Sequence, residues 1–462
     1  MKLSKIEITN FRCFESLSVK LQADINVFVG VNGAGKTTIL DAIAISLYEI
    51  VAANGGGGKR ERGLQKVNLR PTDIHVVPGS QSAVVGRKYD VQVKAEAVDF
   101  YEVPGFPLRT PLDKENVIEW TDHIHYQPPS GFAYTSQLEK LAPYFAALWQ
   151  ELRNSDPRAL IPFPVVAYYR ATRRLTEMPK MGNVLELELA RDGAFHHALN
   201  AGADFQAMCQ WFYLRENAEL REKFQVRHDS EYQFPELKAA RAALLRTLEG
   251  VKRVFFDENP PSLKVAFNRP GSADEAFELE QLSDGYRNLL AVVLDFARRL
   301  AQAHPNWPNP LEAPGIMLID EIELHLHPKW QQTVIPNLRA AFPNTQIIAA
   351  THSPEVLTTV RRENIHLLGS DHAIEKLPSD VGTFGAESSR VLQEVFAAHA
   401  RPPMLKTVAQ LQEYLGLVES QGQDTDRGRE LRTNLEQALG KSDPDLIAAD
   451  ARISQLKVLK AR

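Results

Sequence analysis

Two cysteines in 462 residues, Cys13 and Cys209, make no disulfide framework and no thiolate metal site. No unbroken apolar run approaches the roughly 18 residues of a membrane span, and the opening residues carry no basic, apolar, small-residue leader. These absences predict a soluble cytoplasmic chain with no membrane partner. An excess of one charge is missing as well, since 53 basic residues stand against 58 acidic ones for a formal net charge of −5. A wholly basic face is not implied, so contact with nucleic acid must come from local patches or through a partner. Long heptads are absent too: positions 196–254 read as mostly helical, but too short and irregular for a coiled-coil arm.

What is present is concentrated chemistry. Gly30 to Thr38 reads G-V-N-G-A-G-K-T-T, which fits G-x-x-x-x-G-K-[ST]. Ile25 to Val29 before it is short, β-branched and aromatic, whereas Ile39, Ile43, Leu47 and Ile50 after it recur at helical spacing. Gly33 and Gly35 let the backbone curl so that amides, including that of Asn32, face inward, and the following helix adds its positive end. Lys36 is expected to reach the outer phosphates of ATP, Thr37 to ligate Mg²⁺, and Thr38 to complete the loop. Upstream, Ile6 and Ile8, then Leu17 to Leu21, suggest strands. Arg12 ends the first of them, either facing nucleotide or lying solvated at a strand end.

Downstream motifs supply the rest of a nucleotide site. Ile316 to Ile319 is an apolar run ending in Asp320 and Glu321, the way a buried parallel strand delivers acids to its carboxyl edge. Asp320 is expected to hold Mg²⁺ through water, and Glu321 to orient or deprotonate the attacking water. A helix over Lys329 to Phe342 and a strand over Thr345 to Thr351 would bring His352 to the same edge. Leu282 to Arg287 reads L-S-D-G-Y-R ahead of a helix. Ser283 there either caps that helix or, with Gly285, forms a second phosphate-facing element.

Other features read more plainly. Val51 to Pro71 is expected to be a flexible basic loop, positions 89–97 and 117–123 to be strands, and 138–152 a helix. Pro164 to Arg170 resembles a buried strand from which Arg170, Arg173 and Arg174 emerge, near phosphate or as a surface cap. His123 with His125, and His325 with His327, lack the further ligands that a metal site needs. Asp424-Thr425-Asp426 lies in a polar stretch and reads as a loop, among the two or three amphipathic helices of the last sixty or so residues.

Together, N-F-R near the start, G-V-N-G-A-G-K-T-T, L-S-D-G-Y-R, I-M-L-I-D-E-I-E-L-H-L-H-P and A-T-H-S-P resemble the ABC-type ATPase heads of the RecF, SMC and OLD group. That resemblance implies an α/β P-loop head with a mixed β lobe, a parallel-strand core, a helical insertion and a helical C-terminal appendage. The expected layout is a head over 1–400, with a first lobe at 1–195, an insertion at about 196–255 and a second lobe at about 256–400, then a docking or oligomerising tail at 401–462. It further implies a catalytic Lys36, Glu321 and His352, a head-to-tail dimer in which Ser283 and Gly285 serve the partner's nucleotide, and a dimer-facing loop at Glu323 to Pro328. A family glutamine that meets the nucleotide is expected from the first lobe, in the Thr72-Asp73-Ile74 region.

The short insertion, and F-G-A-E-S-S-R-V-L at Phe384 to Leu392, look most like the PtuA ATPases of Septu and retron-associated antiphage systems. This implies higher oligomers, a separate HNH nuclease of the PtuB kind, and contact with DNA or retron RNA. The alternative reading is a RecF-like repair ATPase that binds DNA ends or junctions.

Overall fold

The computed structural model describes residues 1–54, 69–75, 90–106, 117–127, 131–137, 141–156, 159–171, 191–199, 205–258, 261–268 and 275–460. Most of the basic loop expected over Val51 to Pro71, together with Arg173 and Arg174, lies outside them, and Val51 to Asn54 are not loop but the end of the helix that starts at Lys36. Two units are present, Met1–Ser388 and Ser389–Arg462.

The first unit begins with β1 (Lys2–Phe11), β2 (Phe14–Lys20), β3 (Ile25–Gly30) and α1 (Lys36–Asn54), followed by β4 (Val91–Val98), β5 (Ile118–Gln127), β6 (Gly131–Gln137), α2 (Leu141–Asn154) and β7 (Val165–Tyr169). β4 buries every second residue, the period-two alternation of a sheet with one face on the core. Strands β2-β1-β4-β5-β6 form an antiparallel sheet. Helix α1 packs on β4 and β5 and also on β3 and β7. It is apolar and long enough to pass a simple test for a membrane span, yet it is mostly buried inside the protein. Trp120 Nε1 donates to the Ser46 carbonyl at 2.7 Å, fixing β5 to that helix.

Next come α3 (Phe205–Arg221), α4 (Pro235–Thr247), β8 (Val251–Glu258), β9 (Pro261–Phe267), β10 (Ala276–Glu278) and α5 (Asp284–Ala303). The helical reading of 196–254 therefore needs correction at its end. Val251 to Val254 is strand, because Gly250 adopts φ +79° and turns the chain into a three-stranded antiparallel sheet. Helix α5 buries Asp295, Arg298 and Arg299. Asp295 accepts from Arg298 at 2.7 Å and Arg299 at 2.8 Å, and also from the Tyr169 hydroxyl at 2.9 Å. Burial would raise its pKa, but the two guanidiniums hold the carboxylate below its ordinary value.

The core closes with β11 (Gly315–Ile319), α6 (Pro328–Gln331), α7 (Val334–Ala341), β12 (Thr345–Thr351), α8 (Pro354–Leu357), β13 (Ile365–Leu368) and β14 (Ile374–Glu375). The single helix expected over Lys329 to Phe342 is two. Pro336 has no amide to donate back to Gln332, so the helix breaks around Thr333. The six-stranded sheet runs β14-β13-β3-β12-β11-β7, and β13, β3, β12, β11 and β7 are parallel. Strands β3, β7, β11 and β12 are buried at every residue, as strands with both faces covered should be. The Gln346 side chain ties this sheet to the five-stranded one, accepting from Leu3 N–H and donating to the Leu3 carbonyl, both at 2.8 Å.

The second unit contains α10 (Lys406–Glu419), α11 (Asp426–Leu439) and α12 (Pro444–Lys460) after α9 (Ser388–Glu394), which spans the division. Leu411, Tyr414, Val418, Leu431, Leu435 and Leu446 make its core. It starts earlier than position 401. Arg401 binds Asp443 and Asp445 with contacts of 2.7–3.0 Å, which draws the residues ahead of α10 into this unit. Asp424-Thr425-Asp426 is the start of α11, where the Thr425 hydroxyl accepts from Gly428 N–H.

Candidate functional site

Parallel pairing aligns the carboxyl ends of four strands. Tyr169 pairs with Ile319, Ile319 with Ala349, and Thr351 with Val29. The residues that follow, Arg170, Asp320, His352 and the loop after Gly30, emerge along one edge, the place where such sheets bind ligands.

The loop is tightly built. Gly33 and Gly35 adopt φ +82° and +105°. A Cβ at Gly35 would lie 2.5 Å from the Phe14 ring and 2.9 Å from Cys13 Sγ, so neither conformation nor space admits a side chain. Val31, Asn32 and Gly33 form an exposed tip, and Thr38 bonds the Cys13 thiol. The loop is braced by His372, which bonds the Ala34 carbonyl at 3.1 Å and meets the Phe14 ring edge-on. The sequence reading missed His372, which lies in a stretch without a motif.

The Lys36 ammonium donates to the carbonyls of Gly30 and Val31 at 2.9 and 3.0 Å. Burial lowers its pKa, opposed by Asp320, Glu323 and Glu321. The Thr37 hydroxyl donates to Asp320 Oδ2 at 2.8 Å across 283 positions of sequence. A hydroxyl and a buried carboxylate held side by side are hard oxygen donors that suit Mg²⁺.

Glu321 adopts φ +47° and His325 φ +63°, left-handed conformations that cost non-glycine residues about 1–3 kcal/mol each. The turn is held by Ile322 N–H to the Ala350 carbonyl at 3.1 Å, Leu324 to Glu321 at 3.0 Å and Leu326 to Glu323 at 2.8 Å. Glu323, unassigned beyond the dimer-facing loop by the sequence, accepts from the Thr351 hydroxyl at 2.7 Å and the His352 amide at 2.6 Å. Ser353 extends the network, donating to Gln331 at 2.6 Å while Gln331 donates to the Leu326 carbonyl at 2.8 Å. His352 has its pKa lowered, by burial and then by Lys36, with Glu323, Glu321 and Asp320 opposing, so a neutral imidazole is favoured. Lys36, Asp320, Glu321 and His352 thus share one electrostatic environment.

Arg12 occupies a φ +49° turn whose N–H donates to the Asp73 carbonyl at 2.7 Å. Its guanidinium donates to Asp41 at 2.6 Å and Asp73 at 2.9 Å. Thr72 to Ile74 holds no glutamine, and Asp73 there holds Arg12. Ser283 stands exposed at the N-cap of α5, and its side chain makes no capping hydrogen bond. Gly285 lies against the loop after Glu321, where a Cβ would come within 2.5 Å of the His325 carbonyl. Tyr286 packs edge-on to Trp330, and Glu249 receives Trp330, Lys329 and, through its carbonyl, the Tyr286 hydroxyl. Among the described residues no group of three His, Cys, Asp or Glu side chains could hold a metal, which includes both H-x-H pairs.

Comparisons with known proteins agree with this chemistry. Residues 1–77 match the AAA ATPase domain family, and residues 209–358 match the family described as AAA domain, putative AbiEii toxin, Type IV TA system. The retron Ec83 probable ATPase of Escherichia coli is 28% identical over 98% of this chain and 87% of its own length. The retron Vc95 probable ATPase of Vibrio cholerae is 24% identical over 94% and 86%. Septu protein PtuA of Bacillus mycoides is 37% identical over 24% of this chain and 16% of its own. The SMC head solved with the C-winged helix domain of ScpA superposes with a TM-score of 0.44 at 15% identity, covering 81% of this chain and 97% of that one.

Proposed function

We propose that this chain, an ABC-type ATPase of the RecF/SMC-like group related to PtuA, is the ATP-hydrolysing subunit of a cytoplasmic antiphage defence assembly, and that nucleotide-driven pairing of two heads controls a separate HNH nuclease. The observation that carries the ATPase reading is the Thr37–Asp320 hydrogen bond, which joins the phosphate loop to the acidic strand end beside Glu321 and His352. The defence context is supported by near full-length similarity to two retron ATPases. Likeness to RecF of Clostridium novyi covers 24% of this chain, so the repair alternative has the shorter support.

Loop amides and Lys36 bind the β- and γ-phosphates, Lys36 exchanging its contacts to the Gly30 and Val31 carbonyls for phosphate oxygens. Thr37 and Asp320 would hold Mg²⁺, which supplies positive charge at the phosphate oxygens when bound. Glu321 accepts a proton as water attacks the γ-phosphorus in line with the departing ADP oxygen, and neutral His352 orients that water or the γ-phosphate. Ser283, exposed at the N-cap of α5, and Gly285, buried beside it against the loop after Glu321, complete the site of a second copy.

Substitution Glu321→Gln tests this reading. ATP decay should slow by about a hundredfold or more, and ATP-bound dimers should accumulate on size-exclusion chromatography. The same decay and the same oligomer as the wild type would refute it. An HNH protein encoded beside this chain should co-purify with it, and DNA cleavage by the purified chain alone would rule out a separate nuclease.

A further inference from the structure

Arg170 is unused by the mechanism above, yet it occupies the carboxyl edge beside the acidic strand end. Tyr169 and Ile319 pair in register, so Arg170 and Asp320 are the next residues of neighbouring strands, and Asp320 N–H donates to the Tyr169 carbonyl at 2.8 Å. From that position the Arg170 guanidinium reaches Asp41 Oδ1 at 2.8 Å. Asp41 lies in α1, one helical turn beyond Thr37.

Asp41 is a convergence point. Its Oδ2 accepts from Arg12 at 2.6 Å, and its Oδ1 accepts from both Arg170 and the Tyr168 hydroxyl, the latter at 3.0 Å. The carboxylate is nearly buried, while the two arginine side chains remain 35% and 34% exposed. Tyr168 has its pKa raised, by burial first and then by Asp41 and Asp320, which places the cluster within electrostatic reach of the expected metal-holding acid.

The geometry has a chemical reading. A guanidinium beside Asp320 would compete with a divalent cation for that carboxylate if it paired there. Asp41 instead holds Arg170 on the P-loop helix, and the Arg170 side chain stays 34% exposed at the edge where the phosphates would lie. Arginine suits this position because its fixed fork of donors can keep one contact to Asp41 and offer others to phosphate oxygens. We propose that Arg170 is a nucleotide-phosphate-binding arginine, and that Asp41 is the positioning residue that holds it, together with Arg12, at this edge. This inference rests on the ATPase reading above and extends its binding site to a strand end that no motif marks.

The test measures kcat and KM for ATP by phosphate release, with the thermal midpoint of the nucleotide-free protein alongside. Arg170→Ala should raise KM about tenfold, the loss expected for one partly exposed charge-assisted contact. Its nucleotide-free midpoint should stay near the wild-type value, because Asp41 keeps Arg12 and Tyr168. Arg170→Lys should recover part of the loss, and Asp41→Asn should raise KM similarly. The double variant Asp41→Asn/Arg170→Ala should be no worse than the poorer single one, since both act on one unit. Wild-type kinetics in Arg170→Ala would overturn the inference and leave the ATPase reading intact. So would a KM rise that accompanies a fallen midpoint and is not rescued by lysine. A wild-type chain that fails to bind ATP would overturn both.

Discussion

Removing the Glu323 carboxylate should slow hydrolysis more than it weakens ATP binding. The side chain accepts two short hydrogen bonds, from the Thr351 hydroxyl at 2.7 Å and the His352 amide at 2.6 Å, so it sets where the end of β12 meets the Glu321 turn. Each charge-assisted bond is worth about 1.5–3 kcal/mol, and Glu323→Ala deletes both. If half of that total is expressed in the position of His352 and the Glu321 turn, kcat falls by roughly ten- to a hundredfold. Glu323→Gln keeps one carbonyl oxygen for the His352 amide and turns its NH₂ to Thr351 Oγ1, so it should lose about tenfold or less. Thr351→Val removes one donor while keeping the shape, and should resemble the glutamine variant. Steady-state phosphate release across an ATP titration gives kcat and KM, and circular dichroism melting gives the midpoint. A Glu323→Ala protein with wild-type kcat, or one whose loss lies entirely in KM, would refute the reasoning.

The pair proposed to hold Mg²⁺ can be probed with Thr37→Val, which should raise the Mg²⁺ concentration for half-maximal hydrolysis about tenfold or more, whereas Thr37→Ser should stay near wild type. An unchanged Mg²⁺ titration would remove Thr37 from that role. Asp122 lies fully buried on β5, hydrogen-bonded to Tyr134 at 2.7 Å, and burial raises its carboxyl pKa from 3.8 to about 7. A carboxyl that binds its proton more tightly folded than unfolded makes stability fall as pH rises from about 4 to about 7. At about 1.4 kcal/mol per pKa unit, the cost above pH 7 reaches up to about 4 kcal/mol. Asp122→Asn should abolish that slope and raise the midpoint at pH 8, and an unchanged pH profile of thermal stability would count against it.

Much of the site was legible because it uses residues whose chemistry is tied to local pattern. The phosphate loop shows itself through glycines flanked by a period-two and a 3.6-period run. Asp320 and Glu321 show themselves by ending an apolar run, and His352 by ending another. His372, Asp41 and the partners of Glu323 did not show themselves, and Arg170 showed itself only as one of three arginines leaving a strand, near phosphate or as a surface cap. Each is an ordinary charged or aromatic residue whose role comes from a neighbour far away in sequence, as with Thr351 for Glu323 and Asp41 for Arg170. The strand at Val251 was hidden by the helical residues before it, and the break around Thr333 by an apolar spacing that continues across Pro336.

By itself the sequence determined that this chain holds nucleotide phosphate: a glycine-rich loop between strand and helix has few other uses, and two carboxylates at a buried strand end complete it. Tertiary structure decided what surrounds that chemistry. Strand order is set by packing between distant segments, so only folding could put Arg170 next to Asp320, Asp41 between two arginines, and the Glu323 carboxylate under the amide of His352.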